Sequence, residues 1–189
     1  VRSSRGPGQR AGLSRDRVLD AATDLLAESG AVTMRAVAQR LGVAPNALYS
    51  HVADKTELVD GVLDRVLAQV DAPPLEPGGS PGDAMHRLMT STHGVLIRHP
   101  QLVPAFLARQ GARGANARHL GAVMLEHLAV AGITGDAARE ALRVLIVYTI
   151  GFAAFDGAPD ERPVPHSELR ADFDRGLHWL ITGIIESVR

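Results

Sequence analysis

Four side chains able to hydrogen-bond lie almost side by side: Asn46, Tyr49, Ser50 and His51. An amide, a phenol, a hydroxyl and an imidazole can all pair with base edges and phosphate oxygens of a nucleic acid. Their spacing puts them on the outward face of a short helix, roughly Pro45 to His51, with Leu48 and Val52 turned inward as core. A helix of that length is not stable alone and must dock on its neighbours. The preceding segment supplies one neighbour. Met34, Val37, Ala38 and Leu41 fall at the i, i+3, i+4, i+7 spacing of a buried helical stripe. Thr33 can cap that helix through its hydroxyl. Gly42 suits a turn that needs positive φ, and Pro45 stands where a new helix takes its first residue. Helix, glycine turn, short helix with polar groups outward is the pattern of a helix-turn-helix that reads the major groove of DNA.

The flanks fit the same frame. Ser14 is placed to cap a helix carrying Val18, Ala22, Leu25 and Leu26 and ending near Gly30. Asp54 and Glu57 form an aspartate version of a capping box for a helix on Leu58, Val62, Leu63, Val66 and Leu67 that runs to about Val70. Residues 71–82, with four prolines and three glycines, cannot continue a helix. Beyond them the pattern is helical again: Asp83 to Arg98, Gln101 to Gln110, Ala115 to Ala131, a long apolar helix from Thr134 or Asp136 to about Phe155, and Ser167 to Val188 after a second Pro-rich loop. No convincing strand, internal repeat or heptad array is seen. The expected fold class is all-α.

Composition narrows the class. The net charge is −1, but residues 1–55 carry eight basic and five acidic side chains, whereas the remainder carries twelve and sixteen. The asymmetry has the sign expected if the N-terminal part faces phosphates. There is no cysteine, so disulfides, thiolate metal sites and a cysteine nucleophile are excluded. The longest nearly apolar run, Val144 to Phe155, is shorter than a membrane span, and no secretory leader is recognisable. The cytoplasm is the expected location. The sequence does not begin with Met, which is read as processing or trimming. Residues 1–13, rich in Gly, Ser and Arg, read either as a disordered tail or as a basic arm that adds DNA contacts.

Together the segments VLDAATDLLAESG, VTMRAVAQRLGV and ALYSHVADKTELVDGVLDRVL resemble the TetR family of transcriptional repressors. Leu48-Tyr49-x-His51-Val52 followed by Lys55 is similar to the tetracycline-repressor branch. The resemblance covers roughly the first third of the chain. It implies an N-terminal three-helix helix-turn-helix DNA-binding domain (residues 14–70, after an arm at 1–13), a linker at 71–82, and a helical ligand-binding and dimerisation domain at 83–189. By resemblance, base contacts fall on Arg35, Pro45, Asn46 and Tyr49, and phosphate contacts on Thr33, Ser50, His51 and Lys55. Arg35 can pair with guanine O6 and N7, Asn46 can pair with adenine N6 and N7 or face solvent, and Pro45 offers only apolar contact. Tyr49 reads equally as a packing residue. Ala44 replaces the Ser or Thr common at this helix start and so loses a cap.

The resemblance also implies a homodimer on a near-palindromic double-stranded operator. The expected interface is the last two helices, where Val144 to Val147 are apolar nearly all round and where Gly176 and Gly183 would let a partner helix approach. It further implies a small-molecule effector. Residues combining apolar bulk with a few polar groups are nominated as its lining: His86, Met89, His93, Phe106, Arg109, Gln110, Met124, His127, Tyr148 and Phe152. No histidine spacing matches a metal motif, and neither a metal nor a cofactor is expected.

Two rivals remain. An enzyme is disfavoured because no Walker loop, dinucleotide fingerprint or nucleophile elbow is present. A DNA-binding adaptor or architectural protein without an effector would have a filled core where the regulator has a cavity of several hundred Å³.

Overall fold

The computed structural model describes residues 12–109, 113–156 and 165–187. All regular structure among these residues is helical. Their contacts group into two units that divide between Leu58 and Val59.

The first unit opens with α1 (Arg15–Ser29). Ser14 caps it by accepting from the Arg17 amide, and Gly30 ends it at φ +67°. Val18, Leu19, Ala22 and Leu26 are its buried face. α2 (Met34–Leu41) starts at Thr33, whose hydroxyl accepts from the Ala36 amide at 3.1 Å, and stops at Gly42, also at φ +67°. A β-carbon is disfavoured at that φ, which is why glycine ends both helices. Pro45–Ser50 then forms a 3-10 helix and not an α-helical turn. The cause is local. Ala44 provides no side-chain cap, and the segment closes with an i+3 bond from the Ala47 amide to the Ala44 carbonyl at 2.9 Å. Tight i+3 turns are the usual form of so short a piece.

α3 (Lys55–Leu67) follows. The Asp54 carboxylate accepts from the Glu57 amide at 2.8 Å. Glu57 reaches back to accept from the Ala53 amide at 2.7 Å. The capping box thus closes one residue earlier than its usual form.

The second unit holds the rest of α3, then α4 (Pro81–Arg98), a 3-10 turn at Pro100–Leu102, α5 (Val103–Ala108), α6 (Ala115–Val130), α7 (Gly135–Asp156) and α8 (His166–Glu186). α4 begins two residues earlier than the sequence reading placed it, because Ser80 caps it and Pro81 occupies its first position. Met85, Leu88, Met124, Leu128, Leu145, Phe173 and Leu177 form the core that α4, α6, α7 and α8 share.

Candidate nucleic-acid interface and ligand cavity

The 3-10 helix is held from beneath and open above. Leu48 is fully buried and Val52 nearly so. Leu48 also accepts, through its carbonyl, from the amides of His51 at 2.8 Å and Val52 at 3.0 Å. Around these anchors Pro45, Asn46, Tyr49 and Ser50 are exposed, as are Thr33, Arg35 and Lys55, and His51 is half-buried. Tyr49 keeps 53% of its surface, so its ring is not part of the core. All eight residues nominated for DNA therefore belong to one unit, and seven of them are exposed.

Two contacts brace this face. Arg15 donates to the His51 carbonyl and, at 2.6 Å, to the Glu57 carboxylate. Hydrogen bonding from Ala53, and then from Arg15, holds the Glu57 carboxyl below its ordinary value. Arg40 grips Glu28 with both terminal nitrogens, tying α2 to α1. The Ser50 hydroxyl donates to the Ala47 carbonyl at 2.9 Å. It must release that bond before it can donate to a phosphate.

The second unit contains a cavity of about 130 Å³. It is smaller than the several hundred Å³ anticipated from sequence. Of the nominated effector residues, Met89, Phe106 and Met124 line it. Leu67, Thr92, Leu96, Gly121, Thr149 and Ile150 also line it and were not foreseen. The threonines were the available signal: each interrupts an otherwise apolar helix face.

The other nominated residues among the described ones lie elsewhere. His86 stands in a groove beside α8, with its Nε2 3.2 Å from Asp174. His93 is buried and stacks on Phe173, ring centroids 4.0 Å apart. His127 is buried on α6. Burial pushes both imidazoles below their ordinary value. Tyr148 and Phe152 line a shallow groove with Trp179. Arg109 forms a two-pronged pair with Asp60 of α3 at 2.8 and 2.7 Å. Gln110 lies outside the described residues.

α3 and α6 are joined in a second way. Gly114 precedes α6 and has no side chain with which to cap it. Asp64 of α3 does so instead, accepting from the Ala117 amide and the Asn116 side chain, both at 3.0 Å. A β-carbon on Gly114 would sit 1.9 Å from the Asp64 carboxyl carbon, so the glycine makes room for the cap. Gly176, expected to admit a partner helix, instead admits Tyr148 of its own chain: a β-carbon there would meet the Tyr148 hydroxyl at 2.3 Å. That hydroxyl donates to the Phe173 carbonyl at 2.9 Å. Gly183 has open space before it.

Residues 18–62 match the family model for bacterial regulatory proteins of the tetR family. The chain carries the DNA-binding module of the TetR family. The family's members are DNA-binding regulators. A transcriptional regulator of the helix-turn-helix type from Saccharopolyspora erythraea is 27% identical over 91% of this chain and 84% of its own length. The Mycobacterium smegmatis protein BioQ, solved with its double-stranded DNA operator, is 26% identical, with a TM-score of 0.71 over 93% of this chain and 99% of its own. The Streptomyces coelicolor protein ActR, solved with actinorhodin, shares the fold at 22% identity and a TM-score of 0.81, covering 94% of this chain and 97% of its own. Among the described residues no helix is long and apolar enough to cross a membrane.

Proposed function

We propose that the chain is a homodimeric transcriptional repressor that holds a palindromic operator and releases it when a small molecule binds. The carrying observation is the exposed polar face of the 3-10 helix, set on the buried Leu48 and Val52 inside the segment that matches the family. Arg35, Pro45, Asn46 and Tyr49 read bases in this proposal, and Thr33, Ser50, His51 and Lys55 hold phosphates. Residues 14–70 serve as the DNA-binding domain and 83–189 as the ligand-binding and dimerisation domain, with 71–82 between them. Cytoplasmic action and the absence of catalysis follow from that role.

A dimer is supported by the surface of the last two helices. Val144, Val147 and Phe155 of α7 and Trp179 of α8 are all largely exposed. Val144, Val147 and Phe155 recur along one side of their helix, where a second copy would bury them. The space of about 130 Å³ between the second unit's helices, smaller than the several hundred Å³ expected of an effector site, favours the effector over the adaptor only in that the core there is not filled.

Selection of bound fragments from genomic DNA, with and without cell extract, tests the whole reading. A specific palindrome released by extract is expected; no enriched sequence overturns it. Residue roles are tested on that operator. Arg35→Ala or Asn46→Ala should change base preference by ~1–3 kcal/mol at one position per half-site. Lys55→Ala should weaken binding on all sequences and lower the salt slope by about 1.

A further inference from the structure

Resting on the effector reading above, we infer that the cavity takes a neutral, nearly all-hydrocarbon molecule the size of a small arene, and rejects anions and cations. The first ground is volume. At about 130 Å³ the void is close to an engineered apolar cavity of about 150 Å³ that stays dry and binds benzene.

The second ground is the donor inventory. Among the described residues lining the cavity, none is charged, and only Thr92 and Thr149 carry a hydroxyl. Both hydroxyl protons are already committed. Thr92 donates to the Leu88 carbonyl and Thr149 to the Leu145 carbonyl, each at 2.8 Å. A carboxylate or phosphate would find no donor from these side chains. A cation would find no counter-charge, since neither hydroxyl ionises. Burying either ion unpaired is strongly unfavourable. Arg109, three residues beyond the wall residue Phe106, is directed to Asp60 by its two-pronged pair.

The third ground is the wall itself. Met89 and Met124 are flexible and polarisable, and Phe106 offers a ring. Such a wall adapts to apolar shape and does not select by hydrogen bonding. Leu67, the last residue of α3, is part of that wall, so an occupant touches the helix that begins at Lys55.

The test uses the full chain with toluene, benzoate and benzylamine as matched probes, read by calorimetric titration and melting temperature without DNA. Toluene should bind and raise the melting temperature, and the two charged analogues should do neither. Thr92→Val and Thr149→Val should retain toluene binding within about twofold, since each removes only a hydroxyl the ligand does not need. Gly121→Leu should abolish binding by filling the void; a β-carbon at Gly121 has its nearest neighbour, the tip of Leu142, at 4.0 Å, so there is room for the side chain to enter. If that variant does not fold, Ile146→Phe fills the same space.

Benzoate or benzylamine binding as well as toluene would overturn the inference. So would loss of toluene binding in either valine variant, or undiminished binding in the filled one. The operator assay separates this from the broader reading. Toluene that binds without altering DNA affinity overturns ligand responsiveness and leaves the cavity's chemistry standing. A charged compound that binds in the cavity and releases the operator overturns the chemistry and leaves responsiveness standing.

Discussion

The 3-10 helix and the cavity are built in opposite senses. At the 3-10 helix the polar groups face outward and two apolar anchors hold the element from below. In the cavity the apolar groups face the open space, and the few polar ones are turned back onto their own helices. The first arrangement keeps most of its hydrogen-bonding capacity for something outside, Ser50 excepted, whose hydroxyl donates to the Ala47 carbonyl. The second has spent its capacity on itself. The proposed nucleic-acid surface and the proposed hydrocarbon site thus differ in where their donors point.

The sharpest way to break this contrast is Leu48→Ala. If the reading face is a polar layer on a buried anchor, the substitution should cost the first unit about 2–5 kcal/mol, measured by chemical denaturation. Tyr49→Ala, at the adjacent exposed position, should leave stability within about 0.5 kcal/mol. Comparable losses from both would mean that Tyr49 is an anchor as well.

A smaller effect is expected where α3 meets α6. Asp64→Ala removes a helix cap and should cost about 1–2 kcal/mol of the second unit's stability. Gly114→Ala should lose a similar amount by displacing the same carboxylate.

The smallest effect concerns acid. Burial holds the His93 imidazole below the ordinary 6.5, with Arg170 adding to the shift and Asp156 opposing it. The folded state therefore binds its proton less readily than the unfolded state. This group's contribution is intact above pH ~6.5 and declines as pH falls below that value toward the folded-state pKa. His93→Phe keeps a ring against Phe173 and should flatten the fall of melting temperature with acid. His127, buried and shifted in the same direction, should preserve part of the slope.

Much of the helical order was legible in sequence because it is written in neighbours. Stripes at helical spacing, Thr33 and Ser14 as caps, and Gly30 and Gly42 as terminators all act within a few residues. The exposure of Pro45, Asn46, Tyr49 and Ser50 around the buried Leu48 was legible for the same reason. Three things were not. The 3-10 geometry depends on an i+3 closure that periodicity does not distinguish from an α-turn. The cavity lining depends on which sides of five helices meet, so Leu67 and Gly121 carried no mark of it. The partners of Arg109 and Gly176 lie 49 and 28 residues away in the chain, and residue type alone could not name Asp60 or Tyr148.

The cap that Asp64 lends to α6 makes two positions interdependent across 50 residues of sequence. A loop grafted before α6 from another protein would have to keep a glycine at its last position or bring its own serine, threonine or aspartate. In the second case Asp64 would be displaced and left in need of another partner. Exchanging modules at this point would therefore succeed only as a paired change, with the residue on α3 revised together with the incoming loop.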